Sequence, residues 1–382
     1  MTRPALAAVA LLALATPAAA DEAAGSPTPY LDFKNELQDR YNLDYGVLLS
    51  IFPQFGTQPG GRSIVSTLIT PTITWSPVEG TKLGDGALTV SFTRAQYWTG
   101  ANGITLQHTI GAIATPNDWT FNEIQQSQYT WTQKLPGDIL EITVGQYPMS
   151  NIDTNLYAGN QQTNFLNFSL SQTASQTYPN AGLGAYAQMN LPHGIQILGG
   201  IQNASDVSGE TFTDAGFARH EIAWFAAAGW SGNVPTLGAG KYMLFGYGQP
   251  SVPDLPHASQ GISFNGAQRL TERWAAFVMA NQASGSLLPV QASISAGLIL
   301  TDPWGRNPQD QFGIGLAWNR TNRAAYPDRP VRDSEVVAEA YDNFAILPRL
   351  TVAPDVQVYA NPALKPGTGP AVVLSLRATA AF

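Results

Sequence analysis

From about residue 42 onward, apolar and polar side chains alternate along short segments, which is the period of a strand with one greasy face. The last segment shows it most plainly. Val372, Leu374, Leu376, Ala378, Ala380 and Phe382 share one parity, and Ser375, Arg377 and Thr379 take the other. Upstream, Leu350, Val352, Val356 and Val358 alternate with Thr351, Asp355, Gln357 and Tyr359, and Phe312, Ile314, Leu316 and Trp318 alternate with Gly313, Gly315 and Asn319. No helical period runs through these stretches. Read this way, the chain predicts sixteen strands at 42–55, 63–75, 86–97, 120–134, 138–149, 183–191, 194–203, 218–230, 238–249, 259–268, 272–283, 289–301, 310–320, 334–346, 348–359 and 369–382. Each is long enough to cross a bilayer at a tilt.

The connections sort by side. If the first strand rises from the periplasm, the tight turns at Leu135-Pro136-Gly137, Pro192-His193 and Leu347-Pro348 fall at the periplasmic end. The two longest connections, near 98–119 and 150–182, fall outside. Short periplasmic turns and long external loops are the habit of outer-membrane barrels. The segments near 76–85 and 302–309 are longer than that habit expects. The fold class expected is all-β: a closed antiparallel transmembrane β-barrel of sixteen strands over 42–382.

Two segments precede the barrel. Residues 1–20 carry Arg3, an apolar run from Ala5 to Ala15 and the small residues Ala18-Ala19-Ala20, so they read as an export signal. Residues 21–41 form a periplasmic lead-in, with Tyr30 to Tyr41 readable as a short amphipathic helix or as an unstructured stretch.

Composition narrows the class. Charged residues are 12%, aromatics 10%, and there are 36 glycines and no cysteine. Beyond residue 20 no run of about 18 apolar residues occurs, which excludes transmembrane helices. Absence of cysteine removes disulfides and thiolate metal sites. A net charge of −8 argues against nucleic acid as a partner.

Particular residues then resemble a family. Tyr341-Asp342-Asn343-Phe344, Leu347-Pro348-Arg349-Leu350, Pro354-Asp355-Val356-Gln357 and Asn361-Pro362 resemble the closing hairpin of the OprB-type carbohydrate-selective porins. Val144-Gly145-Gln146, Asn164-Phe165-Leu166-Asn167 and Tyr178-Pro179 resemble a central strand of those porins and the long loop after it. The Trp-Gly-rich opening common near that family's first strand is absent here. The resemblance implies an outer-membrane porin through which small hydrophilic solutes, sugars first, diffuse down their gradients without a cofactor. Its partners would be outer-membrane lipid and the barrel-assembly machinery, for which the terminal Phe382 is a signal, and its state a monomer or homotrimer. A general porin, a polysaccharide-export pore and a barrel hydrolase are the alternatives. For the last, His108, His193, His220 and His257 show no metal-ligand spacing, and no Gly-x-Ser-x-Gly elbow is present.

A sixteen-stranded barrel is wide enough for an aqueous lumen. Parity turns Glu141, Glu335, Glu339, Arg349, Asp355, Gln357 and Arg377 into it, because a charge facing lipid near the midplane would cost about 2–4 kcal/mol. These side chains would contact solute or brace the wall. The segment 150–182 is the candidate constriction, with Asn160, Gln161, Gln162, Asn164 and Asn167 for sugar hydroxyls and Tyr157 or Phe165 for stacking on a sugar ring. Tyr129, Trp131, Tyr147, Trp224, Trp230, Tyr247 and Trp318 are expected in interfacial girdles.

Overall fold

In hydrocarbon every backbone N–H and C=O needs an internal partner, so a chain of one-face-apolar strands must close on itself. The computed structural model describes residues 29–57, 61–119, 122–205, 215–253 and 255–382, and in it the chain closes. The strands are β1 Leu43–Gly56, β2 Arg62–Thr81, β3 Gly84–Tyr97, β4 Glu123–Lys134, β5 Leu140–Tyr147, β6 Gly182–Asn190, β7 Ile195–Asn203 and β8 Ile222–Val234. They continue with β9 Gly238–Gln249, β10 Ser259–Arg269, β11 Trp274–Ser284, β12 Val290–Thr301, β13 Gln311–Thr321, β14 Ser334–Leu347, β15 Leu350–Tyr359 and β16 Ala371–Ala381. Each pairs antiparallel with its chain neighbours, and β1 pairs with β16 to seal the wall. All sixteen coincide with the alternating segments of the sequence.

Alternation becomes a lipid side and a lumen side. Ile314, Leu316 and Trp318 of β13, Leu374 and Leu376 of β16, and Ile195, Ile197 and Ile201 of β7 point outward and are exposed to the membrane. Their neighbours of opposite parity, among them Asn319, Ser375, Arg377 and Gln202, are buried inside.

Long connections cluster at one end, as expected of the extracellular side. At the other end the segment 76–85 proves to be strand rather than loop. β2 runs on to Thr81 and β3 begins at Gly84, so the hairpin projects past the wall on a tight turn. The 302–310 connection is a true loop, pinned by an Arg306–Asp310 ion pair at 2.6 Å and by a bond from Arg306 to the Ala345 carbonyl at 3.1 Å.

The lead-in is helical: α1, Pro29–Tyr41, lies at the periplasmic mouth. Lys34 pairs with Asp44 at 3.7 Å, and Tyr30 meets Tyr45 edge-on at 6.3 Å. Arg349 stacks its guanidinium 4.2 Å over Tyr30. This corrects one expectation, since Arg349 sits in the turn before β15 and braces the helix instead of lining the lumen. The reason is a two-residue shift of the strand start, from 348 to Leu350, which takes it out of the alternation. The expected export signal, 1–20, lies outside the described residues.

Aromatics divide in the same way. Tyr129, Trp224 and Trp318 are exposed on the outer face, with Trp131 and Trp230 half-buried beside them. Tyr147 and Tyr247, expected in the girdles, instead point inward and are buried with Phe225, Phe245 and Tyr178. Their parity puts them on the lumen face, where loop residues cover them.

Candidate functional site

Two extracellular connections fold down into the lumen. The first, between β3 and β4, opens with helix α2, Gly103–Ile110. Asn102 caps it by accepting from the Thr105 N–H at 3.0 Å. Gly111 ends it in the left-handed region at φ 79°. The Lys365 ammonium donates to the Thr109 carbonyl at 2.7 Å, near the negative end of the helix. Leu106 and Ile110 are fully buried against the wall. Sequence reading missed this helix, although Asn102 three residues before Thr105 and the glycine at 111 are its start and stop signals.

The second connection, 148–181, is the expected constriction segment. It carries the one-turn helix α3, Phe168–Ser171, capped by the Asn167 side chain. Phe165 is wholly buried, 5.0 Å from the Tyr341 ring and 5.2 Å from Phe277. The wall makes room for it at Gly315. A Cβ there would come within 2.8 Å of Leu170 and 3.0 Å of Phe165, so a larger residue would force those two loop side chains to shift.

Wall side chains hold both loops. Glu335 accepts from the backbone N–H groups of Ile113 at 3.0 Å, Ala114 at 3.1 Å and Ala363 at 3.1 Å. Glu339 accepts from Leu166 at 2.6 Å and Asn167 at 2.9 Å. Such charge-assisted bonds are the strong ones, and a buried N–H stripped of its acceptor costs about 1–3 kcal/mol. Arg377 donates to the carbonyls of Gln161 at 2.7 Å and Asn164 at 2.6 Å, and to the Asn343 side chain at 2.8 Å. Gln357 donates to the Pro116 carbonyl at 2.9 Å and accepts from Asn167 at 3.2 Å. Asp355 is buried beside Glu339 and Arg377. Farther round the wall, on β10 and β11, the loop's own Asp153 accepts from Ser263 at 2.5 Å and Asn265 at 2.7 Å, and Ser175 N–H donates to Asn281 at 3.0 Å.

Four of the wall residues nominated from sequence, Glu335, Glu339, Gln357 and Arg377, therefore meet loop backbone. Glu335, Glu339, Asp355, Gln357 and Arg377 come together on β14–β16. Glu141 stands apart on β5, near the periplasmic end, accepting from Asn190 at 2.9 Å. Most loop residues nominated for solute are engaged with protein. Gln161 donates to Ser171 at 2.8 Å and accepts from the Asp118 N–H at 3.0 Å. Gln162 donates to Ser50 at 2.9 Å and accepts from Thr70 at 2.8 Å. Asn167 binds Gln357 and Tyr359. Asn160 stays exposed, and Tyr157 and Asn164 stay half-exposed.

The loops hold fast to β1 and β2 through Ser50, Gln54 and Thr70, to β9–β11 and to β14–β16, and reach β4 where Asn151 donates to Gln128 at 3.2 Å. Along β4–β7 the inward polar groups pair with one another: Thr132 with Thr143 at 2.9 Å, and Asn190 with Gln188 at 2.8 Å and Gln196 at 3.3 Å. A cavity of about 340 Å³ opens above the loops, lined in part by Gln107, Asp118, Gln125, Phe168 and Asn180. Another of about 540 Å³ lies at the periplasmic end, lined in part by Thr74, Asp85, Thr132 and Lys134. Burial, and more weakly the Glu123 carboxylate, pushes the Asp118 carboxyl up to about 7. Asp118 was not nominated from sequence, because nothing local marks a loop acid as facing a lumen.

Comparison with known proteins adds three findings. A family model described as carbohydrate-selective porin, OprB family, matches residues 102–382. Porin AaxA of Chlamydia pneumoniae is 32% identical over 309 residues, covering 81% of this chain and 70% of the relative. Porin AaxA of Chlamydia abortus is 32% identical over 352 residues, covering 90% and 78%. Among solved structures, the high-pH structure of Pseudomonas putida OprB superposes with a TM-score of 0.77 at 15% identity, over 92% of this chain and 97% of that one. An anion-selective porin from Comamonas acidovorans superposes at 0.55 and 9% identity, over 89% and 99%.

Proposed function

This chain belongs to the OprB family of carbohydrate-selective porins, an outer-membrane porin of a Gram-negative bacterium, and from that premise we propose that it passes small sugars by passive diffusion. The observation that carries this reading is the loop packing. Two loops fill part of the lumen and are bonded to β1–β2, β9–β11 and β14–β16, and to β4 through Asn151 and Gln128, while β4–β7 otherwise present paired hydroxyls, amides and the Glu141 carboxylate. Solute passes between the loops and this β4–β7 wall. A sugar needs many neutral hydrogen-bonding partners and a face to rest on. Thr132, Gln188, Asn190 and Gln196 supply the first along the wall. Asn160, Asn164 and Tyr157 supply polar contacts and a ring from the loop side. The gradient alone drives transport, and channel selectivity follows from width and lining polarity.

The test is single-channel conductance of the refolded chain in a planar bilayer, with glucose or maltose titrated in. Saturable reduction of the open current by sugar is expected. Deleting residues 155–163 should raise the open conductance and weaken the block. Open steps indifferent to both sugars would leave a general porin, and unchanged conductance after the deletion would overturn the constriction.

A further inference from the structure

Outward-facing charges on a barrel wall need an explanation, because nothing passing through the lumen can meet them. Arg320 is such a charge. It shares the outward parity of Ile314, Leu316 and Trp318, and it is exposed. The register places it. Ala280, Ile294, Trp318 and Val336 form one row across β11–β14, with Ile294 and Trp318 exposed to the membrane. The next outward row toward the extracellular end runs Gln282, Ala292, Arg320 and Ser334. The apolar band thus ends at Trp318, and a polar row containing Arg320 begins directly above it.

Arg323 follows in the loop, exposed, with its guanidinium 2.6 Å from the Asp333 carboxylate. Arg323 first and Arg320 more weakly hold that carboxyl below its ordinary range, so both cations lie about one acid. Two guanidinium groups against one carboxylate leave local positive charge, on a protein whose net charge is −8. Arg94 of β3 is a second outward arginine in the extracellular half, hydrogen-bonded to Gln96 at 3.4 Å. The outward acid Asp342 lies at the periplasmic end, bonded to Trp304 at 2.7 Å.

A guanidinium facing hydrocarbon costs about 2–4 kcal/mol at the midplane and almost nothing at the interface. At headgroup depth an anionic lipid turns that small cost into a gain, and the planar fork of Arg matches phosphate oxygens two at a time. We propose that Arg320 and Arg323 form a binding site for lipid-linked phosphate, the phosphorylated sugar headgroup of the glycolipid in the outer leaflet. Trp318 packs against its acyl chains, and Gln282 and Ser334 flank the headgroup with neutral donors.

The experiment uses the full folded chain in detergent, with lipid retention read by native mass spectrometry. The probes are diphosphoryl lipid A, the same lipid stripped of phosphate, and inorganic phosphate as competitor. Heat-modifiable migration on gels confirms that each variant is folded. The wild type should hold the phosphorylated lipid in preference to the stripped one. Each of Arg320→Gln and Arg323→Gln should weaken retention about fivefold, at about 1 kcal/mol per surface cation. Arg320→Lys should keep much of it, whereas Arg329→Gln, where Arg329 stacks on Tyr326 at the mouth, should change nothing. Equal retention of phosphorylated and stripped lipid would overturn the proposal, as would a double Gln variant that binds like the wild type. Displacement of the lipid by inorganic phosphate at equal concentration would show a free-anion site instead.

Discussion

Asp118 is a loop residue whose carboxyl is tuned close to neutrality. Its carboxyl, raised to about 7, stands on the 340 Å³ cavity that solute meets from outside. The sign follows directly. Because the folded state raises this group above its ordinary range, burial favours the neutral form, and raising the pH through neutrality places a negative charge in the vestibule. Reversal potentials in a salt gradient should therefore shift toward cation selectivity as the pH rises through about 7. Asp118→Asn should flatten that dependence and leave open conductance at low pH unchanged. The same linkage makes the packing of this loop weaker above that pH than below it. Charged residues on the wall were legible in sequence by parity, whereas this one was not, because loop acids have no period to betray their direction.

At the scale of elements, all sixteen strands were legible because alternation is local and each strand carries its own signal. What the alternation could not reveal is what the inward parity touches. The bonds from Glu335 to Ile113 and from Glu339 to Leu166 join residues separated by 222 and 173 positions, and no spacing rule links them. The inward direction of Glu335, Glu339 and Arg377 was therefore readable, while their partners were not. Arg349 shows the opposite limit, where a boundary shift of two residues moved a side chain from the wall into a turn. Tyr147 and Tyr247 were read as girdle residues from their place near strand ends, when their parity already pointed inward. Gly315 looked like one more small residue in an alternating strand, yet it sets how close the constriction loop approaches. Gly315→Val should leave β13 intact, since β-branched residues suit strands. It should displace Phe165 and Leu170 at a cost of about 1–3 kcal/mol, as overpacking does. Limited proteolysis between 155 and 170 should become faster, with conductance rising in step; resistance equal to wild type would show that the loop does not rest on this wall.

For the molecule as a whole, the wall and its filling are one construction. Among the strands that grip the loops are β14, β15 and β16, and β16 is also the strand that seals against β1. In detergent refolding, protease protection of 155–170 should appear together with the heat-modifiable, closed form. In the double variant Glu335→Gln, Glu339→Gln, protection should lag behind closure, because at each site one weaker neutral acceptor replaces a carboxylate. Simultaneous appearance in the variant would mean that apolar contacts alone seat the loops. Contacts of such long sequence separation form late in folding. A barrel of this width sealed around an empty centre would be a hole through which a cell loses its periplasmic contents. Here β16, the strand that completes the cylinder against β1, also carries Arg377, which holds the second loop, so the seam of the wall and an anchor of its plug lie on one strand.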